Sequence, residues 1–555
     1  MSQAIPAQRP LGELLTPRQK FIVFNSLILC GFLTSLDSSI VATAMPRILA
    51  DLGGFSLLSW VFTAYLLATT IAIPIVGRPS DMFGRKPFII AGVLIFVLAS
   101  AAAGAAPSMP FLIGARAVQG IGGGIIQACV FASIGDIFTP IQRAKYVGYI
   151  IGVFTIAAVT GPAIGGLLTD GPGWRWAFYL NVPVGVVALA LVWVTLPHSR
   201  KGGKLSSVDF LGAALLSAAT TSLMLALVWG TEEFGWASKE AVGLFAGAAI
   251  LGVAFLFQER RHPQAILPMF LFRNRVYVHA ILIILVSRIG MFGAVQYLPT
   301  FIQTAMGASA TISGLITIPQ SLGLFVASVA AGQLVARTGR YRYPITFGAC
   351  LATAAMFLLH TVRVGDPEWH IAAFMVLLGL GSGVATALMS AITMSAVSQE
   401  FQGVATSGRI FSLHISQVLG VAIFGVIFTT SYSSAFSANA SITAISEISP
   451  AVYRQFEDPT LAIDPQRLAE VRDQVLRLPD GEAILDEAVS AQKQAVTAAT
   501  DRMFLGATLG GILLIALAIT MKEMPLRATF ASDEPSSDEP AGERAGPLEP
   551  VSGPQ

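Results

Sequence analysis

The chain has 555 residues, of which 54% are hydrophobic and 12% are charged, and its formal net charge is +2. A soluble protein carries about 25% charged residues, so a surface that faces only water is excluded. The small net charge gives no reason to expect a nucleic-acid partner. The apolar residues come in runs of about twenty, the length of a helix that crosses a hydrocarbon core. The composition therefore predicts an all-α polytopic membrane protein in a lipid bilayer.

About fourteen apolar runs are long enough to cross a membrane. We expect these spans near residues 22–42, 57–77, 88–106, 110–132, 145–169, 174–196, 207–230, 239–258, 276–302, 311–335, 344–363, 369–393, 407–430 and 504–521. The three cysteines, Cys30, Cys129 and Cys350, fall in different spans. Their separation and odd number indicate neither a disulfide framework nor a metal site.

The basic residues between the spans indicate an orientation. If the amino terminus is inside, the even-numbered connections are cytoplasmic, and the opposite short loops hold few basic residues. Lys and Arg are concentrated in the even-numbered connections, namely at Arg78, Arg85, Lys86, Arg143, Lys145, Arg200, Lys201, Lys204, Arg260, Arg261, Arg273, Arg275, Arg337, Arg340 and Arg342. Because cytoplasmic loops carry an excess of Lys and Arg, we predict a cytoplasmic (inner) membrane protein with both termini in the cytoplasm.

The spans divide the chain into two groups of six with a pair between them. A polar insert at 431–502, which includes a short amphipathic helix near 464–481, is expected on the outer side. The end of the chain is rich in Pro, Ser and acidic residues and is expected to be disordered. The predicted segments are a cytoplasmic amino terminus (1–21), a six-helix half (22–200), two inserted helices (201–262), a second six-helix half (263–523) and a cytoplasmic tail (524–555).

An internal repeat relates the two six-helix groups. The segment "GRPSDMFGRKP" (77–87) is echoed by "GQLVARTGRYR" (332–342), and "GIGGG" (120–124) is echoed by "GLGSG" (379–383). The two offsets are similar, about 255 residues, which indicates a duplicated half of the kind common in transporters. Spans seven and eight are then an insertion between the halves.

At these residues the chain resembles the major facilitator superfamily, specifically its fourteen-span drug:proton antiporter branch (EmrB/QacA type). Five motifs occur in the order typical of that branch. They are "LDSSIVATAMP" (36–46), "GRPSDMFGRKP" (77–87), "LIGARAVQGIGGG" (112–124), "GPAIGG" (161–166) and "WRWAFYLNVP" (174–183). The resemblance implies a fold of two six-helix halves plus two inserted central helices, and an export carrier that exchanges protons for lipophilic small molecules.

The resemblance also implies roles for motif residues. The loop motif would be a gate between the halves, to which Asp136 and Arg143, with Lys145, could contribute charges. In register with that motif are Gly77, Asp81, Gly84, Arg85 and Lys86. The antiporter motif supplies Gly161, Pro162, Gly165 and Gly166, where the Gly-Pro pair could provide a bend. The family runs on the proton gradient without a bound cofactor, and the chain contains no GxxxxGK[ST] loop for ATP.

Few ionisable residues lie deep within the spans, and each is a candidate functional group with a partner to be found. Asp37 is the candidate proton site, although a permanent ion pair that only orients helices would also explain it. Arg116 cannot deprotonate in practice, so it either biases a carboxylate or binds an anionic group.

Arg288 and His414 complete this inventory in the second half. Arg288 has no acid in its own half to neutralise it. Three interpretations of Arg288 are open: it pairs with Asp37, it binds a substrate carboxylate or lipid phosphate, or it lies at a span end and snorkels.

The second half departs from the family pattern. Cation exporters of this branch carry acids in second-half spans, and spans nine to fourteen here contain none in their interior. The leading hypothesis is a multidrug exporter of amphiphilic small molecules. The alternatives are an exporter of a native lipid or secreted metabolite and, more remotely, a non-transporting receptor or scaffold.

Overall fold

The computed structural model describes residues 11–53, 57–197, 208–232, 238–308, 310–439, 450–457, 461, 465–477 and 480–524. Fourteen helices in these ranges are long and apolar enough to span a membrane, and the ranges contain no β-strand, which confirms the all-α polytopic fold. The spanning helices are α1 (Pro17–Leu52), α2 (Leu58–Phe83), α3 (Arg85–Gly104), α4 (Met109–Ile137), α5 (Pro140–Asp170), α6 (Asn181–Thr195), α7 (Phe210–Glu232), α8 (Lys239–Arg261), α9 (Arg275–Thr300), α10 (Ala310–Thr338), α11 (Arg342–His360), α12 (Glu368–Ser395), α13 (Gln402–Ser437) and α14 (Gly481–Thr520).

Local sequence explains where several helices begin. At α1 the Thr16 side chain accepts from the backbone N–H of Gln19, and the Gln19 side chain accepts from the Thr16 N–H, a capping box with proline at the first helical position. α2 continues to Phe83, beyond the expected end at 77, and a single residue, Gly84, separates it from α3. Gly84 has φ +90°, a conformation that favours glycine.

The duplicated glycines give the same packing in both halves. A Cβ on Gly124 would lie 2.6 Å from the Thr69 carbonyl oxygen in α2, and one on Gly383 would meet the Leu324 carbonyl of α10. On the other side of α4, a Cβ on Gly122 would lie 2.7 Å from the Gly92 carbonyl oxygen of α3. In the second half, a Cβ on Gly381 would likewise lie 2.6 Å from the Gly348 carbonyl oxygen of α11. Each half thus holds its fourth helix between two others at the close distance that only glycine permits.

The two halves meet near one end of the bundle, which we call the terminal face because α1 begins and α14 ends there. A Cβ on Gly148 of α5 would lie 2.9 Å from the Ser328 carbonyl of α10, and one on Gly332 would lie 2.6 Å from that of Ala144. A Cβ on Gly77 of α2 would lie 2.7 Å from the Ser407 hydroxyl of α13. These contacts close the cleft between the halves at the terminal face.

The inserted pair, α7 and α8, lies beside the first half and the start of the second. Trp229 of α7 contacts Trp60 of α2 edge to face, with ring centroids 5.6 Å apart. The segment after α8 turns back beneath the bundle, because the Glu259 carboxylate accepts the backbone N–H groups of Ile266 and Leu267, each at 3.1 Å.

The polar insert predicted at 431–502 lies at the opposite end, the insert face, and the two helices that flank it continue into this range. α13 runs to Ser437 and α14 begins at Gly481, so both helices extend beyond the hydrophobic runs. Two short helices, Pro450–Glu457 and Pro465–Val475, lie between them. The Tyr432 hydroxyl donates to the Phe456 carbonyl at 2.8 Å, which ties the insert to α13. The basic cluster at 200–204 and the tail from 525 lie outside the described residues.

Candidate functional site

Asp37 forms a buried ion pair with Arg116 inside the first half. Asp37 lies near the middle of the 36-residue helix α1 and is 0% exposed. The Arg116 Nη1 donates to Asp37 Oδ2 at 2.6 Å, and Arg116 is 1% exposed. The alternative that Asp37 pairs with Arg288 across the halves is therefore wrong in this conformation.

Two amides complete the shell around Asp37, and sequence analysis did not single out either of them. Gln119 Nε2 and Asn181 Nδ2 donate to Asp37 Oδ1 at 2.8 Å and 2.7 Å. Gln119 also donates to the Ser100 hydroxyl at 2.6 Å and accepts from Arg116 at 2.7 Å. Gln119 could have been found from its spacing, because it lies one helical turn after Arg116.

This cluster joins helices α1, α2, α3, α4 and α6 around one carboxylate. From α2, the Tyr65 ring lies 4.2 Å from the Arg116 guanidinium carbon, a cation–π contact, and the Val61 carbonyl accepts from Arg116 Nε at 3.4 Å. A buried pair tolerates its charges only when hydrogen bonds satisfy the remaining donors and acceptors. Neutralising Asp37 would therefore weaken the contacts among the helices that meet at this cluster.

Arg288 lies near the middle of α9, so the interpretation that it snorkels from a span end is wrong. Its Nη2 donates to the Thr386 hydroxyl of α12 at 2.8 Å. Arg288 forms no ion pair with any described carboxylate.

His414 and a further arginine lie where the second half meets α4. His414 Nε2 and Gln127 Oε1 are 2.9 Å apart and link α13 to the first half. Arg409, five residues earlier on α13, is 3% exposed, and its guanidinium lies 5.3 Å from the centroid of the Phe131 ring. Sequence analysis missed Arg409 because it lies close to the start of the apolar run predicted at 407–430, whereas α13 begins at Gln402.

At the predicted gate, Asp81 at the end of α2 contacts the first turn of α13. The two carboxylate oxygens of Asp81 accept the backbone N–H groups of Gly403 and Val404, each at 3.0 Å. The first N–H groups of a helix have no partner within it and carry the positive end of the helix dipole. Asp81 therefore caps a helix of the opposite half.

Arg85 holds Asp81 in place from within the first half. Arg85 Nη2 donates to Asp81 Oδ1, its Nε donates to Asp136 Oδ2 at 2.9 Å, and its Nη1 donates to the Ser80 hydroxyl at 2.6 Å. All of these side chains are at least nine-tenths buried. The structure thus brings together the predicted Asp81, Arg85 and Asp136.

The other basic residues of the predicted gate have different partners. Arg143 Nη2 donates to the Gly135 carbonyl at 2.9 Å. When the Gln402 amide is oriented with its oxygen toward Arg143, Arg143 Nη2 also donates to it at 2.9 Å, which gives a second link to α13. Lys86 instead donates to the Trp193 carbonyl at 2.6 Å, and Lys145 faces the ring of Tyr146 at 5.9 Å. Lys86 and Lys145 therefore do not join the charge network.

Arg78 adds a connection from the gate to the segment after the inserted pair. Arg78 Nε donates to Gln264 Oε1 at 3.0 Å, and its guanidinium carbon lies 4.5 Å from the centroid of the Phe401 ring, just before α13. Arg78, Phe401 and the segment 262–270 also line a cavity of about 370 Å³ at the terminal face.

The antiporter motif packs α5 against α1. A Cβ on Gly161 would meet the Cβ of Ser39, and one on Gly165 would lie 3.1 Å from the Ile40 carbonyl, whereas one on Gly166 would meet nothing within 4 Å. α5 continues through Pro162 as one helix from Pro140 to Asp170, so Gly161-Pro162 does not interrupt it.

Comparison with known proteins agrees with this architecture. The profile of the Major Facilitator Superfamily matches residues 27–407 and 280–524. The "Multidrug transporter protein MdtP" of Bacillus subtilis is 37% identical over 409 residues, which are 74% of this chain and 75% of that protein. "Multidrug resistance protein 3" of the same organism is 34% identical over 423 residues, or 75% of this chain and 82% of that protein.

A solved structure shows the same fold. The human organic anion transporter MFSD10 is 13% identical, has a TM-score of 0.58, and covers 90% of this chain and 100% of its own. The relatives and the fold are those of transporters and not of enzymes. The chain therefore belongs to the major facilitator superfamily as a member with fourteen spanning helices.

Proposed function

We propose that the protein is a proton-driven export carrier of the cytoplasmic membrane that moves amphiphilic or lipophilic small molecules outward by alternating access. The observation that carries this proposal is the Asp37–Arg116 pair, a buried carboxylate near the middle of a spanning helix with its hydrogen bonds supplied by two other helices, α4 and α6. An ionisable group held at such depth is a candidate for ion coupling.

The proposed cycle uses the two sites together. With the terminal face closed by Asp81 and turned to the cytoplasm, the cleft opens outward, and a proton entering from outside reaches Asp37. The neutral carboxyl no longer forms an ion pair with Arg116, so the helices that meet at this cluster rearrange. The halves then rock, and the Asp81 contact with Gly403 breaks as the terminal face opens. Release of the proton to the cytoplasm, with substrate bound in exchange, returns the carrier.

Export of several compounds, rather than one, is supported by two facts. Two relatives at 34–37% identity are named for multidrug transport or resistance. Apolar and aromatic side chains such as Phe131 and Phe325 lie along the helices where the halves meet. Such surfaces bind bulky apolar compounds of different shapes, because apolar contacts do not require one fixed orientation.

Proton flux in proteoliposomes tests the proposal. Purified protein is reconstituted with a pH-sensitive dye inside, ethidium or dansyl-leucine methyl ester is added, and proton movement and substrate uptake are recorded under an imposed pH gradient. Wild type should couple the two fluxes, and Asp37→Asn should bind substrate but lose the coupling. Asp170→Asn, at an exposed acid of α5, is the matched control and should behave as wild type. Coupling that survives in Asp37→Asn, or wild type that transports none of the substrates, would overturn the proposal.

A second candidate is export of a native lipid or secreted metabolite. The observation that favours it is the arginine pair of the second half, since neither Arg288 nor Arg409 forms an ion pair with a described residue. Cells lacking the protein separate the candidates. A native exporter leaves tolerance to dyes and antiseptics unchanged and causes its own compound to accumulate, whereas a multidrug exporter lowers the tolerance.

A further inference from the structure

Two arginines deep in the second half lack the ion pairs that Arg116 and Arg85 form in the first half. In the first half, Arg116 is paired with Asp37, and Arg85 with Asp81 and Asp136. In the second half, among the described residues, Arg288 donates only to a hydroxyl, and the buried Nε of Arg409 has no acceptor. An unpaired charge at such depth costs free energy, and a residue of this kind therefore marks a candidate functional site.

Among the described residues of the second half, no carboxylate forms an ion pair with either arginine, and Glu400, just before α13, is exposed. The acids of α9 to α14 lie toward the insert face, at the start of α12 and in the extended first part of α14. They are Glu368, Glu482, Asp486, Glu487 and Asp501. The missing negative charge must therefore come from outside this half.

Arg288 and Arg409 lie on neighbouring helices. Ile289, the residue after Arg288, packs against α13, because a Cβ on Gly420 would lie 2.7 Å from the Ile289 carbonyl oxygen. Arg409 and His414 belong to the same helix as Gly420. Like charges in a medium of low polarity repel strongly. Two neighbouring arginines therefore destabilise the protein when no anion is bound between them. His414 Nδ1 is buried without a partner as well.

Residues of the first half face the same place. Phe131 of α4 lies against Arg409, and Gln127 of α4 contacts His414. The group therefore lies between the halves, where a carrier binds its cargo, and combines positive charge with an aromatic surface. Arg288 is half-buried, so part of the residue remains accessible.

We propose that Arg288 and Arg409 bind the carboxylate of an amphiphilic organic anion whose apolar part packs against Phe131. Guanidinium groups match a carboxylate geometrically and keep their charge at any physiological pH. The inference rests on the proposed export function and names a substrate class for it. Because Arg288 lies near the middle of α9, the ligand is a molecule within the cleft rather than a headgroup of the bilayer.

Matched probes test the inference. Dansyl-leucine carries a free carboxylate, and its methyl ester has the same apolar parts without the charge. Binding of both to protein in nanodiscs is followed by dansyl fluorescence, and uptake of both is measured in proteoliposomes. Wild type should bind the acid at least about 10-fold more tightly than the ester, as expected for a charge-assisted hydrogen bond.

Arg288→Gln and Arg409→Gln should each lose most of that preference, because acid binding weakens more than ester binding, while Arg409→Lys should retain part of the preference. Arg340→Gln, at an exposed arginine of the terminal face, is the matched control for net charge. If Arg409 were only structural, its Gln variant would weaken acid and ester equally and lower the melting temperature.

The outcomes separate the two levels of the proposal. If wild type transports the ester with proton coupling but binds acid and ester equally, the carboxylate site is wrong and the export function stands. If neither probe nor ethidium is transported, the export function itself fails. If a glutamine variant does not fold, the comparison of acid with ester in wild type and Arg409→Lys still decides, because it needs no loss-of-charge variant.

Discussion

The carboxylate of Asp81 accepts the backbone N–H of Gly403 at 3.0 Å, and so an acid of the first half caps a helix of the second half. The next N–H, that of Val404, is bound in the same way. This contact explains the aspartate in the repeated loop sequence, which anchoring by positive residues leaves unexplained. The contact also explains why Arg85 and Asp136 are buried beside Asp81, because they hold the Asp81 carboxylate in position to cap α13.

Asp81→Asn should shift the carrier toward the state that is open at the terminal face. The amide retains an acceptor oxygen but loses the charge that interacts with the helix dipole, at a cost of about 1–2 kcal/mol, or roughly 5–30-fold in the ratio of the two states. Spin labels are attached at Gln142→Cys on α5 and Arg337→Cys on α10, in a background carrying Cys350→Ser. Double electron–electron resonance then measures the distance between α5 and α10 at the terminal face. The fraction of molecules with the longer distance should be larger in Asp81→Asn than in wild type.

The control for this prediction is Asp366→Asn. Asp366 accepts the Arg363 N–H at 2.8 Å within one half, so its substitution removes a carboxylate charge beside a backbone N–H without touching the interface between halves. An equal shift in both variants would mean that the distance change reflects general loosening rather than loss of the gate.

Glycine substitutions should separate packing within a half from packing between halves. In Gly77→Ala the new methyl group meets Ser407 across the interface, so closure of the terminal face and transport should suffer while thermal stability is retained. In Gly161→Ala the methyl group meets Ser39 inside the first half, where overpacking costs about 1–3 kcal/mol. Both the melting temperature and transport should then fall.

Gly166→Ala is the internal control for these two variants. It belongs to the same motif as Gly161, but its Cβ has nothing within 4 Å. It should leave the melting temperature and uptake as in wild type. If Gly166→Ala were as harmful as Gly161→Ala, helix flexibility rather than close contact would explain the glycines of this motif.

Much of the fold was predictable because hydrophobic length is a direct physical requirement. A span must cover the hydrocarbon core, so fourteen runs give fourteen helices. The repeat was predictable for a similar reason. A larger residue at Gly124 or Gly383 would push apart the helices that pack closely there. Helix ends were less predictable: α2, α13 and α14 continue past their apolar runs because buried or packed polar residues extend them.

The site was only partly predictable, because sequence shows which groups are ionisable but not which partners they find. Asp37 and Arg116 were found as unusual charges in apolar runs. Asn181 was missed because a neutral amide is not unusual there, although it lies in a motif already noted. The partner of Arg288 is Thr386 on another helix of the second half, and no local pattern shows which helices pack side by side.

The Asp37–Arg116 pair allows stability and transport to be tested separately. Arg116→Gln leaves Asp37 buried without its cation, which should lower the free energy of unfolding by about 3–5 kcal/mol. The double variant Asp37→Asn with Arg116→Gln removes both charges, and neutral amides can still hydrogen-bond. It should recover most of the melting temperature but not proton-coupled uptake. If the double variant regained coupled transport, the pair would be structural and the proton site would lie elsewhere.

Tyr341, in the turn between α10 and α11, should make the end of α14 sensitive to alkaline pH. Its hydroxyl donates to the Lys522 carbonyl at 2.9 Å and accepts from the Met524 N–H at 2.7 Å. Burial raises the pKa of Tyr341 above its ordinary value, because the charged phenolate is disfavoured there. The contribution to stability is therefore fully present below the unfolded-state pKa of about 10 and is lost as the pH rises through the higher folded value.

Melting temperatures measured from pH 8 to alkaline pH by tryptophan fluorescence check this sign. Tyr341→Phe should be less stable than wild type at pH 8 by about 1–3 kcal/mol, because the Met524 N–H and Lys522 carbonyl lose their partner. It should then lose less stability than wild type above pH 10. Tyr343→Phe, at a tyrosine that is 70% exposed, should follow wild type throughout. Parallel curves for wild type and Tyr341→Phe would show that the buried phenol does not control alkaline release of α14, because only an ionising group changes the slope of stability with pH.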